Sequence, residues 1–110
     1  MSPWEIRDYP FAWGKHPAVI LSNARRVDLK PQIVVLACRS LRPGVARDAE
    51  PTEAILDRAD GLNGPTLCRC DLLFTVDKSL VSTHRTGEVS AERRREIARK
   101  VIQGLAIAGL

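Results

Sequence analysis

Residues 66–79 have the sequence TLCRCDLLFTVDKS, in which apolar and polar side chains largely alternate. A period of two predicts a β-strand, because successive side chains of an extended backbone point to opposite faces. One face then carries Cys68, Cys70, Leu72, Phe74 and Val76. The other carries Arg69, Asp71, Leu73 and Thr75. The strand thus predicts an ion pair between Arg69 and Asp71, either a surface salt bridge worth about 0–1 kcal/mol or an acid/base site with a cation beside a carboxylate.

Other apolar runs predict further short strands at residues 18–21, 32–38 and 52–57. Residues 18–21 are continuously apolar, which is typical of a strand buried on both faces. A first strand near the N-terminus is interrupted by Pro10 or displaced by it to a sheet edge, and Phe11, Trp13 and Gly14 predict a loop with aromatic anchors. Loops are also predicted over residues 23–32, 41–51 and 81–87.

One helix is predicted at the C-terminal end of the chain. Ser90 is its N-cap, and an apolar stripe at helical spacing comprises Ile97, Ala98, Val101, Ile102 and Leu105. Several short strands followed by one helix predict a mainly β fold, a small, curved antiparallel sheet or partly open barrel with the helix covering an opening. At 110 residues, we expect a single domain over residues 1–110.

The charge of the chain permits a nucleic-acid partner without requiring one. The 17 Lys and Arg residues exceed the 13 Asp and Glu residues by four, the excess is spread evenly, and most of the cations are arginine, which suits phosphate binding. No run approaches the roughly 20 apolar residues of a membrane-spanning helix, and the N-terminus lacks the pattern of a signal peptide. We therefore expect a cytoplasmic protein without a membrane partner.

The three cysteines, Cys38, Cys68 and Cys70, fall within predicted strands. Cys68 and Cys70 share a strand face, which is poor geometry for a mutual disulfide, and no nearby histidine or second cysteine pair completes a zinc site. Buried free thiols are the expected state, and we expect neither a metal nor a cofactor.

Several short motifs, in this order, resemble those of the PemK/MazF/Kid family of toxins from type II toxin–antitoxin systems. The matching pieces are HPAVILS at residues 16–22, VVL at 34–36, DG at 60–61, RCD at 69–71 continued by TVDKS at 75–79, and GEVS at 87–90. The resemblance implies an SH3-like barrel and a homodimer. It also implies a ribosome-independent endoribonuclease that cuts single-stranded RNA such as mRNA without metal, arrests growth and is silenced by an antitoxin protein.

The implied chemistry is attack of a ribose 2′-oxygen on the neighbouring phosphate, giving a 2′,3′-cyclic phosphate and a 5′-hydroxyl. That reaction needs a base, a cation for the phosphorane charge and a proton donor to the leaving oxygen. By resemblance, Asp71 is the base and Arg69 stabilises charge or also donates the proton. Because arginine stays protonated in water, charge stabilisation suits it better.

The sequence departs from the family pattern at two places. His16 stands where the family often has arginine, and Arg39 with Ser40 where it often has Thr-Ser or Thr-Thr. We expect His16 to be catalytic, with a loop histidine that has no catalytic duty as the alternative, and Lys15, Arg39 and Ser40 to bind RNA. A second class of function stays open, in which a weak or inactive protein of the same fold binds RNA or antitoxin or poisons DNA gyrase.

Overall fold

A computed structural model describes residues 1–42 and 49–106 and contains one sheet of six antiparallel strands with two helices. In chain order the elements are β1 (Glu5–Phe11), β2 (Gly14–Ile20), α1 (Ala24–Leu29), β3 (Gln32–Ser40), β4 (Glu53–Leu56), β5 (Thr66–Asp77), β6 (Arg85–Glu88) and α2 (Ala91–Leu105). The strand order is β4-β5-β3-β2-β1-β6, so the sheet curves into a partly open barrel. The predicted mainly β fold with a C-terminal helix is confirmed.

The sheet has an apolar core on each face. The core on the helix face, which α2 covers, includes Ile6, Val19, Leu36, Cys68, Ile97 and Val101. The core on the second face includes Phe11, Ala18, Ile20, Val35, Ala37 and Val76, together with Val27 of α1. Ala18, Val19 and Ile20 are all buried, which confirms the prediction of a strand buried on both faces. A continuous apolar run suits β2 because consecutive side chains enter different cores.

A register shift interrupts the pairing of β3 with β5. Leu36 pairs with Leu73, whereas Cys38 pairs with Cys68. Four residues of β5, 69–72, therefore lie opposite a single residue of β3. Extra residues of this kind form a bulge that bends the strand and changes the face to which later side chains point.

The predicted division of β5 into two faces is wrong beyond the bulge. Cys68 and Cys70 lie in the core on the helix face as predicted, but Phe74 and Val76 pack in the core on the second face. Leu72, predicted to share their face, is exposed at the bulge. The prediction fails because strict alternation holds only while the register is unbroken.

The apolar stripe of α2 is narrower than predicted. Ile97 and Val101 are buried against the sheet, but Ile102 and Leu105 are 72% and 52% exposed. At 3.6 residues per turn, Ile102 lies about 140° around the helix axis from Ile97 and so points away from the sheet. Its place in the stripe was a wrong prediction.

Two elements were predicted as loops. Asn23 accepts a hydrogen bond from the Arg26 N–H and begins α1, whose six residues are too few for a helical period to be recognised. β6 has no apolar alternation and is held to β1 in part by the Thr86 hydroxyl, which donates to the Ile6 carbonyl at 2.8 Å. Of the loop predicted at 41–51, residues 43–48 lie outside the described part.

Asp60 joins the turn before β5 to the beginning of α2. Its buried carboxylate accepts the N–H groups of Asp57 at 3.0 Å and Ser90 at 2.9 Å, and its Oδ2 lies 3.5 Å from Arg93 Nε. Gly61 follows at φ 83°, and the Asp60 carbonyl then packs directly on the backbone of Gly87. The start of α2 therefore depends on a close backbone approach that a side chain at residue 87 would block.

We expect Gly87→Ala to lower the free energy of unfolding by about 1–3 kcal/mol, the usual range for forcing an extra methyl group into a packed site. The added Cβ would lie well inside van der Waals contact with the Asp60 carbonyl oxygen. Gly64→Ala is the matched control, since among the described atoms nothing lies within 4 Å of a Cβ at that position. Urea unfolding of both variants makes the comparison, and equal midpoints would contradict the packing at Gly87.

Candidate functional site

A cavity of about 520 Å³ lies on the second face of the sheet. Its described lining residues are Trp13, His16, Ala37, Cys38, Arg39, Arg69, Leu72 and Phe74. They come from β2, β3 and β5, which are neighbours in the sheet, and from the turn between β1 and β2. The cavity therefore combines two arginines and a histidine with two aromatic rings.

Each basic side chain reaches the cavity because of its place in a strand. His16 alternates with Ala18 and Ile20 of β2, both of which lie in the core on the second face. Arg39 lies two residues after Ala37 near the end of β3, and Arg69 is the first residue of the bulge in β5. Three side chains that the sequence singled out, on separate strands, are thus brought together by the fold.

The cavity arginines differ from most of the basic residues of α2. Arg93, Arg94 and Lys100 form ion pairs with Asp57, Glu88 and Glu96, respectively. Within residues 1–42 and 49–106, no ion pair involves Arg39 or Arg69. Both are exposed, and the cross-strand neighbour of Arg69 is Glu53. Positive charge in a concave site attracts anions, so this cavity is suited to a phosphate group.

Asp71 is not among the described residues that line the cavity. It lies in the bulge next to α2, where a Cβ at Gly104 would be 3.0 Å from the Asp71 Cβ. The described lining of the cavity includes Arg69 and Leu72 but not Asp71. In the described part of the chain Arg69 and Asp71 form no ion pair within 4 Å, so the predicted ion pair is a wrong prediction; the bulge breaks the alternation that would have placed the two together.

Lys15 and Ser40 also lie apart from the three basic residues. Lys15 is exposed near the beginning of β2 and points to the opposite face from its neighbour His16. Ser40 lines a second cavity of about 370 Å³ with Pro17, Thr66 and other residues. Their predicted contacts with RNA stay predictions.

The two aromatic lining residues, Trp13 and Phe74, were not predicted as part of the site. Trp13 stacks on Phe11 with ring centres 4.8 Å apart, and Phe74 lies 5.4 Å from Trp13. The predicted loop at residues 11–14 is a tight hairpin, since Phe11 pairs with Gly14. The spacing of Tyr9, Phe11 and Trp13 at every second position is the signal that could have indicated one aromatic face.

The three cysteines are free and buried, as predicted. A hydrogen bond with Cys38, aided by burial, raises the pKa of Cys68 well above the ordinary thiol range. A hydrogen bond with Cys68, together with burial, likewise raises the pKa of Cys70. Thiols of this kind stay protonated at neutral pH, which makes Cys68 and Cys70 poor nucleophiles.

Residues 1–42 and 49–106 contain no group of three or more His, Cys, Asp or Glu side chains placed to hold a metal ion. The helices in that part of the chain are too short or too polar for any of them to cross a membrane.

Solved structures with the same fold include toxins and toxin–antitoxin complexes. An endoribonuclease in complex with its cognate antitoxin from a mycobacterial species superposes with a TM-score of 0.81 at 19% identity, covering 100% of this chain and 99% of that chain. The Mycobacterium tuberculosis toxin MazF-mt6 gives 0.76 at 19% identity, with 91% and 94% covered. A MazE–MazF structure from Deinococcus radiodurans gives 0.74 at 19% identity, with 97% of each chain covered. At such identity these similarities show the fold alone.

Sequence comparison gives the family. No curated protein sequence matches the chain. The family model for the PemK-like, MazF-like toxin of type II toxin-antitoxin system matches residues 11–105, which include every strand from β2 to β6 and all of α2. The chain therefore belongs to the PemK-like, MazF-like family of toxins from type II toxin–antitoxin systems.

Proposed function

We propose that this protein is a cytoplasmic toxin that cuts single-stranded RNA as a metal-independent endoribonuclease. Endoribonuclease activity is typical of the family. The observation that carries the proposal is the cavity whose lining includes His16, Arg39 and Arg69, with both arginines outside any ion pair of the described residues. An anion of the size of a phosphodiester would supply the missing partner.

In the proposed reaction, the ribose 2′-oxygen attacks the adjacent phosphorus and its proton passes to a base. The bond from phosphorus to the 5′-oxygen breaks, and that oxygen takes up a proton to leave as a 5′-hydroxyl, while the other product carries a 2′,3′-cyclic phosphate. Arg39 and Arg69 stabilise the charge that builds on the phosphorane oxygens. Their guanidinium groups hold phosphate by paired hydrogen bonds.

We assign the base to His16 rather than to Asp71. His16 lines the cavity with both arginines, whereas Asp71 lies against α2. Imidazole can accept a proton and later return it, so one residue can serve both proton transfers. The role of Asp71 as the base stays a prediction that the same experiment tests.

We expect His16→Asn and Arg69→Ala each to slow cleavage by about 10²–10⁴-fold, the usual contribution of acid/base groups and of charge stabilisation in a transition state. Asp71→Asn should stay within about tenfold of the parent, since a residue outside the cavity contributes no proton transfer. The measurement is single-turnover cleavage of a single-stranded RNA in excess EDTA, with identification of the product ends.

Arg95→Ala is the matched control, because Arg95 is an exposed arginine on α2 and belongs to a different surface. It should cleave as the parent does. If Asp71→Asn abolished cleavage while His16→Asn still cleaved as the parent does, the base would be Asp71 instead of His16. Absence of any cleavage by the parent would contradict the endoribonuclease and favour the alternative of a weak or inactive binding protein or a gyrase poison.

We further propose that a cognate antitoxin silences the protein by covering the same cavity. A disordered antitoxin segment with acidic side chains would pair with Arg39 and Arg69 as it folds on binding. The mycobacterial structure described above holds an endoribonuclease with its antitoxin, which supports the proposal.

Expression of the chain alone should therefore arrest bacterial growth, and co-expression of the adjacent upstream gene should restore it. The His16→Asn variant should be tolerated without that gene, because toxicity and cleavage would share one cause. Growth arrest that persists in His16→Asn and Arg69→Ala would separate toxicity from RNA cleavage.

A homodimer is the third part of the proposal. α2 exposes Ile102 and Leu105, large apolar side chains that a second subunit would shield from water. Burying apolar surface on a symmetric partner is the commonest basis of a stable homodimer.

Sedimentation at micromolar concentration should give twice 12.2 kDa, and Ile102→Glu should shift the protein to a monomer by placing a charge in the contact. Leu29→Glu on α1, where Leu29 is 65% exposed, is the control and should stay dimeric. If Leu29→Glu dissociated the dimer and Ile102→Glu did not, the interface would involve α1 instead of α2.

A further inference from the structure

Trp13 has a large exposed ring whose position is fixed by its neighbours. It lies in the two-residue turn between β1 and β2, which the Phe11–Gly14 pair closes with Gly14 at φ 127°. Its indole is nearly parallel to the Phe11 ring, with an interplanar angle of 12°, and is still 56% exposed. One face of the indole is therefore covered by Phe11, and the opposite face is free to stack on a flat ligand.

The rings around Trp13 form a connected aromatic cluster. Phe11 also contacts Tyr9 at 4.9 Å and Phe74 at 5.5 Å, both edge to face. Because each ring is held by another, Trp13 loses little further conformational entropy when a ligand binds. An exposed but preorganised aromatic ring is typical of a binding surface.

Trp13 and Phe74 line the same cavity as Arg39 and Arg69. Proteins that bind single-stranded nucleic acid combine these two features, cations along the backbone and aromatic rings beneath the bases. A peptide would satisfy the cations with carboxylates, but it would offer few flat groups for the indole face. The pairing of phosphate-binding and stacking groups in one cavity therefore favours a nucleotide.

We propose that Trp13 is the stacking platform for an unpaired base of the RNA, next to the phosphate that Arg39 and Arg69 bind. This inference rests on the proposed endoribonuclease function and adds to it a residue that holds the substrate. Every base has a π-face, so stacking of this kind tolerates any base and selects against paired strands. Trp13 thus contributes the preference for single-stranded over duplex RNA.

The test is binding of a 2′-fluoro-substituted single strand, which cannot form the cyclic phosphate, measured by fluorescence anisotropy. Trp13→Ala should weaken binding by roughly 5- to 150-fold, the range that loss of one stacked base covers. Trp13→Phe should restore most of the affinity, because it keeps a ring in place. Leu80→Ala is the matched control, since Leu80 is 55% exposed and lies outside the described cavity lining, and it should bind as the parent does.

Salt dependence separates stacking from charge. Trp13→Ala should leave the slope of log affinity against log salt unchanged, whereas Arg39→Ala and Arg69→Ala should each reduce it by roughly 0.7. Thermal unfolding of Trp13→Ala near that of the parent would show that the loss arises at the binding surface.

Three outcomes would overturn the inference. If the parent binds and cuts RNA and Trp13→Ala binds equally well, stacking on Trp13 is wrong and the endoribonuclease stands. If Trp13→Phe fails to restore affinity, the role of the ring is structural. If the parent neither binds nor cuts single-stranded RNA, the proposed function and the platform both fail.

Discussion

The register shift between β3 and β5 determines which side chains share a surface. Arg69 and Phe74 are five positions apart, an odd number, so an unbroken strand would send them to opposite faces. Both line one cavity because residues 69–72 lie opposite a single residue of β3. The shift leaves some backbone groups of β5 without a strand partner, and the exposure of Asp71 and Leu72 allows water to satisfy them. The bulge thus places Arg69 and Phe74 on the same face of β5.

The cavity arginines differ from several other arginines of the molecule in having no acidic partner among the described residues. On the helix side, Arg93, Arg94 and Lys100 have acidic partners that hold α2 and its approach in place. On the second face, Arg39 and Arg69 are gathered near His16 without ion pairs among the described residues. Water keeps the repulsion between the two guanidinium groups small. Both groups attract an anion that enters the cavity. Arginine is therefore structural at Arg7, Arg93 and Arg94, which have acidic partners, and available for binding in the cavity, and the composition alone does not distinguish the two.

The periodicity of apolar residues correctly predicted the strand segments in which alternation of side chains is unbroken. The continuous apolar run of β2 and the placement of Cys68 and Cys70 follow from strict alternation, and the structure agrees. Alternation fails at Phe74 and Val76 because a bulge is set by pairing with a distant strand, which no local pattern contains. The stripe of α2 fails at Ile102 because an apolar residue at helical spacing can also face a partner. The cavity itself was only partly predictable, since His16, Arg39 and Arg69 are far apart in sequence and were associated through family motifs, whereas Trp13 had no motif to mark it.

The separation of Asp71 from the cavity has a physical consequence for the proposed catalysis. A carboxylate between Arg39 and Arg69 would pair with one of them and compete with the phosphate for its hydrogen bonds. An imidazole accepts a proton without bringing negative charge to the site, so in the proposed reaction His16 is the base while both guanidinium groups remain available to the phosphorane. Replacement of the usual family arginine by His16 would then shift phosphate binding to Arg39 without loss of activity. In this proposal Arg39 supplies the second guanidinium from the next strand, so the site is positively charged and also contains a group that can transfer protons.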